Sequence, residues 1–457
     1  MSQGEPLVES AGARQAGAAL HGLVAELYPI CRSITGDGVR ETLRHIERRL
    51  PLAIHEVPSG TQVFDWTVPR EWNIRDAWIK NLNGDRLVDF QKSNLHVVNY
   101  SVPVRQRIPL TELRSHLHTV PDHPDWIPYK TSYYKESWGF CVSAEQLSAL
   151  TDAEYDVAID STLEDGHLTY GEYYLPGQSE DEVLISTHVC HPSLCNDNLS
   201  GVSIAVFLAE WLSKHSTRRW SYRFLFIPGT IGSITWLARN QDRLGTIRQG
   251  LVLSGLGGPG GLHYKRSRRG SAEIDRAAAI ILKHSGDGGQ IRDFIPYGYD
   301  ERQYCSPGIN LAVGCLSRTP YGEYPEYHTS ADNLGFVTPD RLAGAYAACQ
   351  SIVTALEDNL TFVNRQPMCE PQLGRRGLYS SMGGAGESRG REMALLWVLN
   401  LADGAHNILD IAERSGLSFE SISQAAALLH QNGLLEETPR STDNLDKSPE
   451  KTGRYAW

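Results

Sequence analysis

Apolar residues recur at helical spacing near both ends of the chain and gather into strand-like runs through its middle. Between Gly17 and Ile30, the positions Leu20, Leu23, Val24, Leu27 and Tyr28 follow a period near 3.6, and a second helix is expected from about Gly38 to Leu50. The intervening Cys31-Arg-Ser-Ile-Thr-Gly-Asp-Gly is rich in turn formers, with hydroxyls able to cap the second helix. Extended chain is expected from Leu52 to Phe64, where Ala53-Ile-His-Glu-Val alternates. From Asp65 to Tyr155 the pattern changes to short strand-like runs such as Leu95-His-Val-Val-Asn-Tyr-Ser-Val, separated by prolines and crowded with Trp66, Trp72, Trp78, Trp126 and Trp138. This predicts a β-rich domain inserted at 65–155, with Tyr133, Tyr134, Trp138 and Phe140 as packing core.

After Tyr155 strands and helices alternate. Strands are expected at Asp156-Val-Ala-Ile-Asp, at His167 to Tyr174, at Glu182 to Thr187, from Ser221, at Leu251-Val-Leu-Ser and at Leu311-Ala-Val-Gly. Helices are expected from Val202, from Gly232, from Ala272 to His284 and from Pro339 to Leu356. The alternation implies an α/β domain, discontinuous over 1–64 and 156–365, with a mixed sheet covered by helices on both faces. A Gly-rich linker, Ser380-Ser-Met-Gly-Gly-Ala-Gly, precedes three short helical patterns at Glu392–Leu401, Ile408–Ser415 and Phe419–Gln431. These resemble a winged helix and predict such a domain at 385–440, followed by a polar, disordered tail at 441–457.

Length bounds the domain count: 457 residues hold two or three domains. A net charge of -11 argues against a nucleic-acid binder held by bulk charge. The third C-terminal helix pattern carries no basic residue except His430, so DNA binding is not expected of the winged helix. Eight cysteines without a Cys-x-x-Cys pair read as buried thiols in a reducing compartment. With no secretory pattern at the N-terminus and no apolar run long enough to span a bilayer, a cytoplasmic location and no membrane partner are expected.

Chemistry concentrates in one loop. The apolar run Val183–Ile185 delivers His188 to Val-Cys190-His191-Pro-Ser-Leu-Cys195-Asn196-Asp197-Asn198, just ahead of a helix. Two imidazoles, two thiols and a carboxylate within ten residues are zinc-ligand types at the end of a strand, where α/β proteins place their sites. A plainer reading makes Asp197 or Asn198 a helix cap and His191-Pro192 a turn. A second donor group, Tyr321-Gly-Glu323-Tyr-Pro-Glu326-Tyr-His328-Thr-Ser-Ala-Asp332, follows the Val313 strand and can reach the same sheet edge. Gly255-Leu-Gly-Gly-Pro-Gly260 fits the Gly-x-Gly-x-x-Gly pattern but opens no helix, so a dinucleotide site is not expected.

His188, Asp197-Asn198 opening a helix, and His328-Thr with Asp332 resemble the pattern of co-catalytic zinc aminopeptidases related to aminopeptidase Y. Cys190-His-Pro-Ser, Asn196-Asp-Asn-Leu-Ser-Gly, Asp300-Glu-Arg-Gln-Tyr-Cys-Ser-Pro-Gly and Glu326-Tyr-His-Thr-Ser more closely resemble a bacterial family of aminopeptidase-like proteins, in which a β-rich domain interrupts the peptidase fold and a winged helix follows. The resemblance implies a zinc-exopeptidase-like fold and names His188, Asp197 and His328 as metal ligands. The chain departs from the wider group at Cys190, at Pro228-Gly229 where a Glu-Glu pair is usual, and at Gly257-Gly258 where a later Asp is usual. One zinc is then easier to hold than two, and the proton-accepting base would come from Glu326, Glu323 or the Asp300-Glu301 pair. Arg302, Tyr304 and Lys265 are candidates for contact with substrate.

The sequence thus predicts a zinc-dependent hydrolase acting on a small amide or short peptide. The alternative is a metal- or ligand-binding protein that has lost peptidase activity, and a lesser one is a ligand-sensing regulator that uses the C-terminal module on DNA. The oligomeric state stays open, a homo-oligomer included.

Overall fold

The computed structural model describes residues 11–286, 288–378 and 386–438, so the expected Gly-rich linker, except for Gly386, and the expected tail at 441–457 lie outside the described residues. The strands used below are, in chain order, β1 (Ala53–Pro58), β2 (Glu71–Lys80), β3 (Arg86–Asp89), β4 (Val104–Pro109), β5 (Glu154–Glu164), β6 (His167–Leu175), β7 (Glu182–His188), β8 (Ser221–Ile227), β9 (Ile247–Leu253), β10 (Leu262–Lys265), β11 (Gln290–Arg292) and β12 (Val313–Arg318). The helices used below are α1 (Ala11–Leu27), α2 (Asp37–Glu47), α3 (Gly201–Ser213), α4 (Ile231–Arg239), α5 (Glu273–His284), the short α6 (Glu301–Tyr304) and α7 (Pro339–Glu357).

Eight strands form one mixed sheet in the order β1-β6-β8-β7-β9-β12-β10-β11. Its centre, β8-β7-β9-β12, is parallel, with Ile185 of β7 opposite Phe224 of β8 and Leu251 of β9. Every residue of β7 and β8 is buried, as a parallel sheet covered on both faces requires. Helix α3 packs on β7, β8 and β9, α5 packs on β9, β10 and β12, and α2 packs on β6. The interior also holds an ionic group: Arg223 of β8 donates twice to Glu182 of β7, at 2.6 and 2.7 Å, and bonds Glu172 of β6.

The inserted segment forms a four-stranded antiparallel sheet, β3-β2-β5-β4. Here one expectation changes. The Asp156-Val-Ala-Ile-Asp run, assigned from sequence to the large sheet, lies in β5 and pairs with β2 and β4. Its alternating burial suits either sheet, and the long antiparallel match to β2, from Glu71 opposite Glu164 to Lys80 opposite Asp156, decides between them. The expected strand at Leu95–Val102 is also absent: Asn94–His96 form a turn of 3₁₀ helix, and the chain reverses at Tyr100, whose φ is 70°.

A second unit runs from Val353 to the end of the chain. Helices α8 (Gly386–Leu401), α9 (Ile408–Ser415) and α10 (Phe419–Gln431) pack around a small sheet made of β13 (Thr361–Asn364), β14 (Asp403–Asn407) and β15 (Leu435–Glu437), with β13 in the middle. Asn407 and Ser418 accept hydrogen bonds from the Asp410 and Ser421 amides and so fix where α9 and α10 begin. The central strand β13 lies ahead of the expected start at 385; four residues with no helical signal were too short to be read as part of the module.

Candidate functional site

The parallel strands β7, β8, β9 and β12 end on one side, so the loops that follow them meet there. His188 is the last residue of β7, and the loop it opens runs to Asn198. Asp197 does not cap α3; its side chain points instead at imidazoles. His188 Nε2 lies 2.8 Å from Asp197 Oδ1, while His328 Nε2 lies 3.0 Å and His191 Nε2 3.8 Å from Oδ2. One buried carboxylate therefore gathers three imidazoles, and ligand atoms of His188, His191 and Asp197 lie within 4.8 Å of one another. His188 and Asp197 are almost fully enclosed, whereas the His328 side chain is 33% exposed, which makes His328 the side open to approach.

Electrostatics follow from this burial. Desolvation alone would raise the Asp197 pKa, but His191, His188 and His328 outweigh it and hold the carboxyl well below its usual range. Burial pushes His191 down to about 3, leaving a neutral imidazole with a free lone pair. His191 Nδ1 faces Cys190 Sγ at 3.5 Å, and the His191 carbonyl accepts from the buried Arg32 Nε at 2.8 Å.

The loop is held by groups that the sequence marks weakly. Asp332, fully buried, accepts the backbone N–H of Asn196 at 2.5 Å and of Asp197 at 2.9 Å. Burial raises the Asp332 pKa to about 7 against the pull of those amides. The glycine-rich Gly255–Gly258 segment spends its amides here as well: Gly255 donates to Asn198 Oδ1, and Gly257 and Gly258 donate to Asn196 Oδ1. The inserted segment supplies a wall, with the Tyr129 ring edge-on to His191 and His328 at 5.2 and 5.0 Å and the Tyr129 amide on the His328 carbonyl at 2.7 Å. Tyr327 stacks on His328 at 3.9 Å.

The remaining candidates divide. Glu326 is half-buried in the His328 turn, and its side chain has no ion-pair partner among the described residues. Glu323 points away, in a bidentate surface pair with Arg292. Tyr304 is buried with its hydroxyl 2.9 Å from Ser186 Oγ, and Lys265 pairs with the buried Glu301 and donates to the Tyr297 carbonyl, so both brace the 297–304 segment. Arg302 is half-buried beside them, its Nε without a hydrogen-bond partner. Asp300 is buried near His188, its Oδ1 accepting from Ser233 at 2.8 Å and its Oδ2 unpartnered; burial raises its pKa to about 6. Gly229 makes room for this approach, since a Cβ there would lie 3.1 Å from His188 Cβ and 3.6 Å from Asp300 Oδ1. His191, Arg32, Tyr129 and Tyr299 were not assigned to the site from sequence; only His191 carried a signal, as the second imidazole of the loop.

Residues 21–359 match the model of a domain of unknown function (DUF4910), and residues 360–437 match a winged helix-turn-helix. A Clostridium acetobutylicum protein, provisionally named a polysaccharide biosynthesis protein with aminopeptidase-like domain, is 52% identical over 422 residues, covering 92% of this chain and 97% of that protein. A crystal structure from the same organism, provisionally called a peptidase, superposes with a TM-score of 0.89 at 50% identity over 93% of this chain and 98% of the other. The zinc aminopeptidase BSAP of Bacillus subtilis shares the fold at 13% identity, with a TM-score of 0.55 over 75% of this chain and 95% of that enzyme. No helix among the described residues is long and apolar enough to cross a membrane. The chain belongs to the DUF4910 family, an aminopeptidase-like α/β fold followed by a C-terminal winged helix.

Proposed function

We propose that the protein is a zinc-dependent hydrolase of the aminopeptidase-like type that acts on a small amide or short peptide. The observation that carries this reading is the convergence of three imidazole Nε2 atoms on the buried Asp197 carboxylate. A set of imidazoles and one carboxylate is a donor set zinc accepts, and it fits one ion better than two because only one carboxylate is gathered. His188, His191 and Asp197, whose ligand atoms lie within 4.8 Å of one another, would hold the ion, with His328, outside that group but 3.0 Å from Asp197 Oδ2, as a further donor on the exposed side; burial keeps His191 neutral and ready to ligate. Bound zinc supplies Lewis-acid polarisation of an amide carbonyl and lowers the pKa of water.

The chain's own residues account for the rest. Asp332 and Asn196 hold the loop rigid, Tyr129 and Tyr327 limit water around His328, and Glu326, in the same turn as His328, is the carboxylate free to take a proton. The polysaccharide-biosynthesis name of the Clostridium acetobutylicum relative adds amides carried on sugars to the substrates worth screening. The pairing of Glu323 with Arg292 favours the second reading, a metal-binding protein without hydrolysis, because it leaves one fewer base.

The test is elemental analysis of purified protein with His188→Ala and Asp197→Ala beside it, followed by an amide and peptide screen of the wild type and Glu326→Gln. Near-stoichiometric zinc lost in both ligand variants, with turnover lost in Glu326→Gln, is the expected result. Zinc without turnover would move the protein to the metal-binding form of the second reading, and no zinc in the wild type after zinc is offered would sink the hydrolase and leave a non-catalytic ligand-binding protein.

A further inference from the structure

Tyr299 carries no part of the reading above, yet it touches two members of the centre. Its ring lies over the His188 imidazole, with centroids 4.6 Å apart and planes 18° from parallel. Its phenol O–H donates to Asp197 Oδ1 at 3.0 Å and stands 3.4 Å from the Tyr327 hydroxyl. The carboxylate is thereby divided. Oδ1 meets His188 and Tyr299, and Oδ2 faces His328 and, further off, His191.

Tyr299 is held in place from both flanks of its own segment. Lys265 Nζ donates to the Tyr297 carbonyl at 2.8 Å and pairs with Glu301, and Ser233 Oγ donates to Asp300 Oδ1 at 2.8 Å. The Tyr304 hydroxyl, 2.9 Å from Ser186 Oγ, ties α6 to β7, the strand that ends in His188. The framework, rather than the centre itself, sets where the phenol points.

We propose that Tyr299 is the positioning residue of the centre: its hydroxyl occupies Asp197 Oδ1 and so turns Oδ2 toward His328 and His191, while its ring fixes the plane of His188. This rests on the zinc reading above. Removing the hydroxyl leaves Oδ1 held by His188 alone and loosens the Asp197 carboxylate about its Cβ–Cγ bond, and outer partners of ligating side chains typically change metal affinity about 10- to 100-fold.

The experiment is zinc affinity by competition with a chromophoric chelator for the full-length wild type, Tyr299→Phe and Tyr299→Ala, with thermal unfolding of each metal-free protein in parallel. Tyr299→Phe keeps the stacked ring and is expected to unfold with the wild type while binding zinc about 10- to 100-fold more weakly; Tyr299→Ala is expected to bind more weakly again. Equal affinity of the wild type and Tyr299→Phe overturns the assignment while leaving the zinc reading intact. A loss in Tyr299→Ala alone reduces the residue to packing and overturns the hydroxyl's role. A wild type that binds no zinc removes the zinc reading and this one with it.

Discussion

Asp332 offers the sharpest way to separate the frame of the site from the site. Its carboxylate accepts two backbone amides, those of Asn196 and Asp197, and its own carbonyl accepts the Cys195 amide at 3.1 Å. Asp332→Ala removes the side-chain acceptors and keeps the backbone one. Two N–H groups in a fully buried loop then lose their partners, at about 1–3 kcal/mol each, so the variant should be destabilised by about 2–6 kcal/mol. Against a typical total stability of about 5–15 kcal/mol, that is enough to read as a shifted midpoint with an unchanged slope in urea. Asp332→Asn keeps one acceptor but sets an amide N–H₂ near a backbone donor, so it should fall between the wild type and alanine. Because the amides belong to the residues that place Asp197, the zinc reading proposed above requires zinc affinity to fall in both variants even where the protein remains folded. A midpoint for Asp332→Ala within about 0.5 kcal/mol of the wild type, the range of an ordinary surface change, would refute the claim that this carboxylate holds the loop.

Three further outcomes are expected. Arg223→Ala leaves the buried Glu182 and the half-buried Glu172 without their cation and should cost about 3–5 kcal/mol, read by urea unfolding; Arg223→Met, which keeps much of the stem's packing, should not recover it, because the stranded carboxylates remain. Gly314→Ala places a Cβ 2.0 Å from the Tyr264 hydroxyl, which is itself tied to Asp275 at 2.9 Å, so overpacking of about 1–3 kcal/mol or loss of soluble protein is expected, and an unchanged melting temperature would contradict the contact. Burial alone would raise the Glu71 pKa, but the bidentate bond from Arg40 and the His167 amide hold it down at about 2, below its unfolded value of 4.5. Its contribution is therefore present above pH 4.5 and lost as pH falls toward 2; after discounting for solvent screening it is worth about 1–2 kcal/mol, and Glu71→Gln should flatten the acid limb of the stability curve.

Much of this was legible in the sequence because the α/β frame writes itself in period and length. The helix read from Ala272 to His284 is α5, the one read from Pro339 is α7, and the apolar run ending at His188 is the central strand. The loop's donors were legible for the same reason: His188 and Asp197 sit on one short stretch between a strand and a helix. Residues that reach the centre from distant segments left no such mark. Arg32 comes from the turn before α2, Tyr129 from the inserted segment and Tyr299 from the turn before α6, and in each case the chain around them reads as an ordinary loop. The strand β5 was misplaced because alternation fixes a strand's faces but not its partners.

His328 meets Asp197 at a sequence separation of 131, Asp332 meets the Asn196 amide at 136, and Arg32 meets His191 at 159. Each such contact must close a long loop, which costs chain entropy that only the finished set of contacts repays. The His188 loop by itself lacks the donors that complete the centre, which come from these distant segments. Any ion selected by the full set would therefore bind the finished fold far better than its precursors, and would report, by the temperature at which it is released, when the last long-range closure gives way.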